Sequence, residues 1–114
     1  MHVHLLTVES RANPDRLLFP RKVVDKAIAD AKKLIEERRL LVCSKLPCTL
    51  LTVIGTVHKL FYVHNDLMAD VTLFTGELPK SPKGEGYLSI YGRMVMDDNN
   101  IYRVHSLTIE CLTL

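Results

Sequence analysis

Five histidines, three cysteines and a scatter of serines and acidic pairs are the side chains from which this chain could build a reactive or metal-binding centre. Hydrolysis through a covalent intermediate needs a hydroxyl or thiol beside a base that a third group orients. Ser89 and Ser106 with His58, His64 and Asp70 supply those types, and all five fall in stretches that read as strand. Whether they meet is left to the fold. His2, His4, His58, His64 and His105 form neither an i,i+4 helical pair nor a Cys/His knuckle, so spacing gives no reason to expect bound metal. Asp97 and Asp98 with Asn99 and Asn100 lack the Asp-x-Asp-x-Asp-Gly order and the distal Glu of a calcium loop, and read as a turn. Gly84 and Gly86 lack the strand–loop–helix setting of a phosphate cradle, so no nucleotide or other cofactor is expected. Cys43, Cys48 and Cys111 are odd in number and have no Cys-x-x-Cys spacing. They are expected to be buried thiols in a reducing compartment rather than a disulfide scaffold.

The elements that must position these residues follow from pattern. At 114 residues and 47% hydrophobic, residues 1–114 are read as a single domain with one core. Fifteen Lys and Arg against 13 Asp and Glu give +2, too little for a global field toward nucleic acid or an anionic membrane. Lys80 and Lys83 flank no aromatic platform of the kind single-stranded nucleic acid stacks on. The apolar stretches are too short to span a bilayer, and the first residues lack a signal-peptide order, so a cytoplasmic product is expected.

Met1 to Val8 alternates as a strand, and Glu9 to Phe19 reads as a loop around Asn13-Pro14-Asp15. Pro20 suits the first turn of a helix, where its missing N–H has no partner to lose. Val24, Ala27, Ile28, Ala31, Leu34 and Ile35 then repeat at three and four, opposite Lys22, Lys26, Asp30, Lys33 and Glu37. From Leu40 onward the texture is β. Thr49 to His64, with Gly55 as a kink or bulge, and Leu67 to Phe74 make an antiparallel hairpin around Asn65-Asp66. Tyr87 to Met96 and Ile101 to Leu114 pair around Asp97–Asn100. With strands at both ends, both termini are expected to be held. The fold class expected is α+β: one amphipathic helix packed on a mainly antiparallel sheet or small β-barrel. Thr75 to Gly86 (TGELPKSPKGEG) is the most exposed-looking stretch, and Glu77, Lys80, Lys83 and Glu85 are its candidate partner contacts.

The order NPDRLLFPRKVVDKAIADAKKLIEERRLL, then a strand, then VIGTVHKLFYVHNDLMADVTLF, a Pro/Gly loop and YLSIYGRM resembles the layout of tailed-phage prohead core proteases over most of the chain. The family's Asn-x-Arg-x-(Tyr/Phe)-Pro phrase is matched by Asn13, Arg16, Phe19 and Pro20, with one residue too many between Asn13 and Phe19. Its Gly-(Glu/Lys)-Leu-x-His-Pro phrase, which carries the catalytic histidine, corresponds to Ser44-Lys45-Leu46-Pro47-Cys48, where the histidine is missing. Its nucleophile, a Ser followed by Gly, corresponds to Ser89 and Gly92. The resemblance implies a barrel of the herpesvirus assembly-protease type, and the lost histidine implies a barrel kept for binding. Ser89 is catalytic on this view only if His58 or His64 replaces the base.

The expected function is that of a phage virion or assembly protein of the decoration or cement type. It would bind capsid protein or its own copies as an oligomer, in the virion or in the host cytoplasm during assembly. The alternatives are an active serine protease of prohead maturation and a small inhibitor of a host defence complex.

Overall fold

Strand takes up half of the chain that the computed structural model describes, namely residues 2–10, 13, 16–74 and 87–114, with 87–91 described by backbone alone. The strands are β1 (His2–Thr7), β2 (Leu17–Leu18), β3 (Leu41–Cys43), β4 (Val53–Val63), β5 (Asp66–Leu73), β6 (Tyr87–Met96) and β7 (Tyr102–Thr113), with one helix, α1 (Arg21–Glu36). They form one sheet in the order β1-β5-β4-β3-β7-β2, with β6 on the other edge of β7.

The sheet is mixed and curls into a half-barrel, and this corrects the expected class of a helix laid on a mainly antiparallel sheet. β3 and β2 both run parallel to β7, Val42 facing Leu112 and Leu17 facing Tyr102. Period-two alternation tells which face a residue takes but not which strand lies beside it or in what direction. The curl has a local cause in bulges, which bend a strand and raise its twist. The register steps past Ile54 and His58 on β4 and past His105 and Glu110 on β7, and slips again at Leu5 on β1.

The β4–β5 hairpin forms as its alternation predicts: Leu67, Ala69 and Val71 are buried while Met68, Asp70 and Thr72 are not. Its turn lies one residue earlier than expected, at His64–Asn65, with His64 left-handed at φ 57°. The helix feeds Val24, Ala27 and Ala31 into the core cluster that also holds Leu67, Leu107, Ile109 and Leu112. Pro20 is its N-cap and offers no side-chain acceptor, so the Glu9 carboxylate takes the Arg21 N–H at 2.8 Å instead. At the other end Arg38 is left-handed, Arg39 N–H reaches Leu34 O at 2.7 Å and Arg38 N–H reaches Ile35 O at 3.1 Å. That is a Schellman closure without its usual glycine. Arg21 ties the helix start to the hairpin tip. Its Nη2 donates to His64 O at 2.9 Å and Asn65 Oδ1 at 2.8 Å, and its guanidinium lies 4.2 Å over the Tyr62 ring.

Candidate functional site

Three groups of reactive side chains are placed by these elements. The first joins β1 to the start of β5, where Thr7 pairs with Asp66. The Thr7 hydroxyl donates to Asp66 Oδ1 at 2.7 Å, and His4 Nε2 lies 3.1 Å from the same oxygen and 3.4 Å from Thr7 Oγ1. A hydroxyl, an imidazole and a carboxylate are present, but they are wired wrongly for a triad. The hydroxyl proton is held by the carboxylate, and both partners converge on one imidazole nitrogen, whereas nucleophile activation needs the ring to bridge them through its two nitrogens. The cluster is a clasp between strands. Asn13 extends it, its amide accepting from Thr7 N–H at 2.9 Å and donating to Thr7 O at 2.7 Å. The Asn13–Pro20 phrase is therefore scaffold: Asn13 closes the loop, Phe19 is buried in the core and Pro20 caps the helix.

The clasp carries a pH dependence. The Thr7 hydroxyl bond holds the Asp66 carboxyl below its ordinary 3.8, against some desolvation, with His4 assisting. A carboxyl with a depressed folded-state pKa binds fewer protons folded than unfolded. Its stabilisation is therefore present above the ordinary value and is lost as pH falls through the folded one. Thr7→Val removes the principal donor at nearly constant shape. Its acid-unfolding midpoint, followed by circular dichroism from pH 6 downward, should lie at higher pH than that of the parent chain. Coincident curves would mean that the hydroxyl does not set the carboxyl's pKa.

The second group was not expected from the sequence. Cys43 ends β3, Cys48 lies in the loop to β4, and Cys111 lies on β7, yet their sulfurs all lie within 4.8 Å of one another. Cys43 and Cys48 are disulfide-bonded with Cα atoms 5.5 Å apart, which corrects the expectation of three buried thiols. Cys111 keeps its thiol and is buried. The loop is fixed by Thr52, a buried hydroxyl that donates to Pro47 O at 2.8 Å and accepts Thr49 N–H at 2.8 Å, while Ser44 N–H reaches Thr52 O at 2.8 Å. The nearest sequence sign of this cluster is the five-residue step from Cys43 to Cys48, which lets one short loop return the second sulfur to the first.

The third group is the sequence-nominated protease set, which the fold spreads out. Ser89 stands on β6 in register with Cys111 of β7. His58 is the bulged residue of β4, exposed, and lines a groove with Glu36, Arg38, Thr72 and Phe74. His64 sits at the hairpin tip, six residues or ~20 Å further along an extended chain. In the sheet order β3 and β7 lie between β4 and β6. Ser106 instead accepts the Arg93 N–H at 3.1 Å through its hydroxyl. Glu77, Lys80, Lys83 and Glu85 lie outside the described residues. The loop that the resemblance matched to the family's histidine phrase, Ser44 to Cys48, returns to Cys111 and hence to the strand position facing Ser89.

The curled, mixed half-barrel sheet, with a single helix among the described residues, makes a fold similar to that of a phage protease. The bacteriophage T4 capsid assembly protease is similar in structure, with a TM-score of 0.78 over 99% of this chain and 79% of that chain, at 13% sequence identity. The likeness establishes the fold. No protein-family model and no curated protein matches the sequence.

Proposed function

We propose that this chain is a phage virion or assembly protein that binds capsid protein without cleaving it, a decoration or cement-type role on a capsid-protease-like fold. One observation carries the reading. The loop matched to the histidine phrase comes back toward the strand position of Ser89 bearing Cys48 and no histidine, while His58 and His64 belong to β4 and its turn, two strands away. General-base activation needs contact or one bridging water, and two intervening strands set His58 and His64 apart from the strand of Ser89.

Binding would use the 75–86 loop, through Glu77, Lys80, Lys83 and Glu85, together with the sheet edges. Among the described residues β1 and β6 each have one edge with no neighbouring strand in the strand order, and β6 leaves Met94, Val95 and Met96 about half exposed. The same edges would serve association with further copies. Among the described residues no helix is long and apolar enough to cross a membrane.

Sedimentation with phage-like capsids tests this, with scaffold-protein cleavage followed in the same tubes for wild type and Ser89→Ala. Association of both forms without cleavage is expected. Cleavage that Ser89→Ala abolishes would replace this reading with an active maturation protease, and absence of association would end the capsid-binding role.

A further inference from the structure

Cys43, Cys48 and Cys111 come from a strand end, a loop and a second strand, yet meet at one point. Packing alone gives no reason for three sulfurs rather than three methyl groups to do so. Cys43 is wholly buried and Cys111 is 8% exposed, so the sulfurs meet at the margin of the core, beside Val42 and Leu112 in sequence. A groove of about 650 Å³ opens onto that place, lined by Arg39, Leu41, Leu46, Pro47 and Glu110 along with Cys48 and Cys111. Glu110 reaches it because it is the extra residue of the β7 bulge, a feature that re-aims side chains.

We propose that, once the Cys43–Cys48 disulfide is reduced, the three cysteines together hold one zinc-class, thiophilic cation. Reduction takes two electrons and two protons from a dithiol, which leaves as its own disulfide. Binding then displaces one proton from each of the three thiols. The geometry suits the ion. Tetrahedral coordination at ~2.3 Å from each sulfur puts the sulfurs ~3.8 Å apart, so Cys111 has at most about an ångström to close, while the Cys43 and Cys48 sulfurs, bonded to one another in the oxidised form, part by ~1.8 Å once reduced. Thr52 holds the loop that carries Cys48, so little ordering remains to be done on binding. The fourth position faces the groove, where water or the Glu110 carboxylate completes the shell. Three thiolates around a divalent ion leave one negative charge, and the Arg39 guanidinium, which also bonds Glu37 Oε2 at 3.0 Å, lines the same groove. Disulfide and metal are then alternative states of one site, and the site stands on sulfur geometry alone, apart from any role at the capsid.

The test uses the full chain, reduced with a dithiol, desalted without oxygen and titrated with Co²⁺ and then Zn²⁺. One Co²⁺ per chain is expected, with an intense thiolate-to-cobalt absorption in the near ultraviolet that Zn²⁺ abolishes, and none with the oxidised chain. Outer-shell losses alone weaken metal sites ~10–100-fold, so Cys111→Ser and Cys48→Ser should each weaken binding more than ~100-fold. Cys48 lies in a loop and is only half-buried, so Cys48→Ser decides the matter if Cys111→Ser does not fold. A reduced chain without the charge-transfer absorption, or variants that bind as wild type does, would overturn the proposal.

Discussion

Gly92→Ala should lower the melting temperature by about 12 °C. A Cβ at Gly92 would be driven into the carbonyl group of Ser106 on β7, well inside van der Waals contact, and would also crowd the Leu107 backbone. Both neighbours are main chain held in the β6–β7 ladder, where Gly92 faces Leu107 and Arg93 faces Ser106, so neither rotates away as a side-chain tip would. Forced overpacking costs ~1–3 kcal/mol, and backbone against backbone belongs at or above the upper end of that range. At ~4 °C per kcal/mol for a domain of this size, ~3 kcal/mol gives the stated shift. Arg93→Ala, one residue on and exposed, serves as the control and should melt within ~2 °C of wild type, as surface substitutions usually do. Equal melting of Gly92→Ala and Arg93→Ala would mean that β6 does not approach β7 this closely.

Gly92 illustrates what the sequence made legible. It was visible as the glycine after Ser89 in a protease-like phrase, but its reason is strand packing one register step from the β7 bulge at His105. Likewise Asn13 and Pro20 were visible as a motif and prove to be a loop clasp and a helix cap. The helix was readable because apolar residues at three and four admit one geometry, and β5 because its alternation is unbroken. β2 was hidden inside an expected loop, since two residues carry no period and owe their strand form to Tyr102 and Arg103 of β7. The thiol cluster was hidden for a related reason. Cys43 and Cys111 are 68 positions apart in sequence, and they approach only because β3 runs parallel to β7, a pairing that side-chain alternation does not encode. Thr52 was passed over because one threonine in a β-rich run looks like surface, whereas here it satisfies a whole loop from within.

The strand that brings those sulfurs together is also where the chain is most vulnerable. β7 bonds β6 along one edge and both β3 and β2 along the other, so whatever loosens it loosens three neighbours. Leu112 lies on β7 opposite Val42 and Leu88 in register, and its side chain is wholly buried in the core cluster. Leu112→Ala removes that packing where the surrounding backbone is locked by strands on both sides and cannot collapse into the space. Leucine truncations cost ~2–5 kcal/mol according to how far the site relaxes, and a site this constrained should cost ~4 kcal/mol. At ~4 °C per kcal/mol the melting temperature falls by about 16 °C. Leu51→Ala, the same change at a side chain 96% exposed in the β3–β4 loop, should leave it within ~2 °C. If both variants melted alike, β7 would not be the element on which the sheet depends. If Leu112→Ala alone collapses, the reduced form's metal affinity should fall with it, because Cys111 is the adjacent residue and keeps its place only while β7 does.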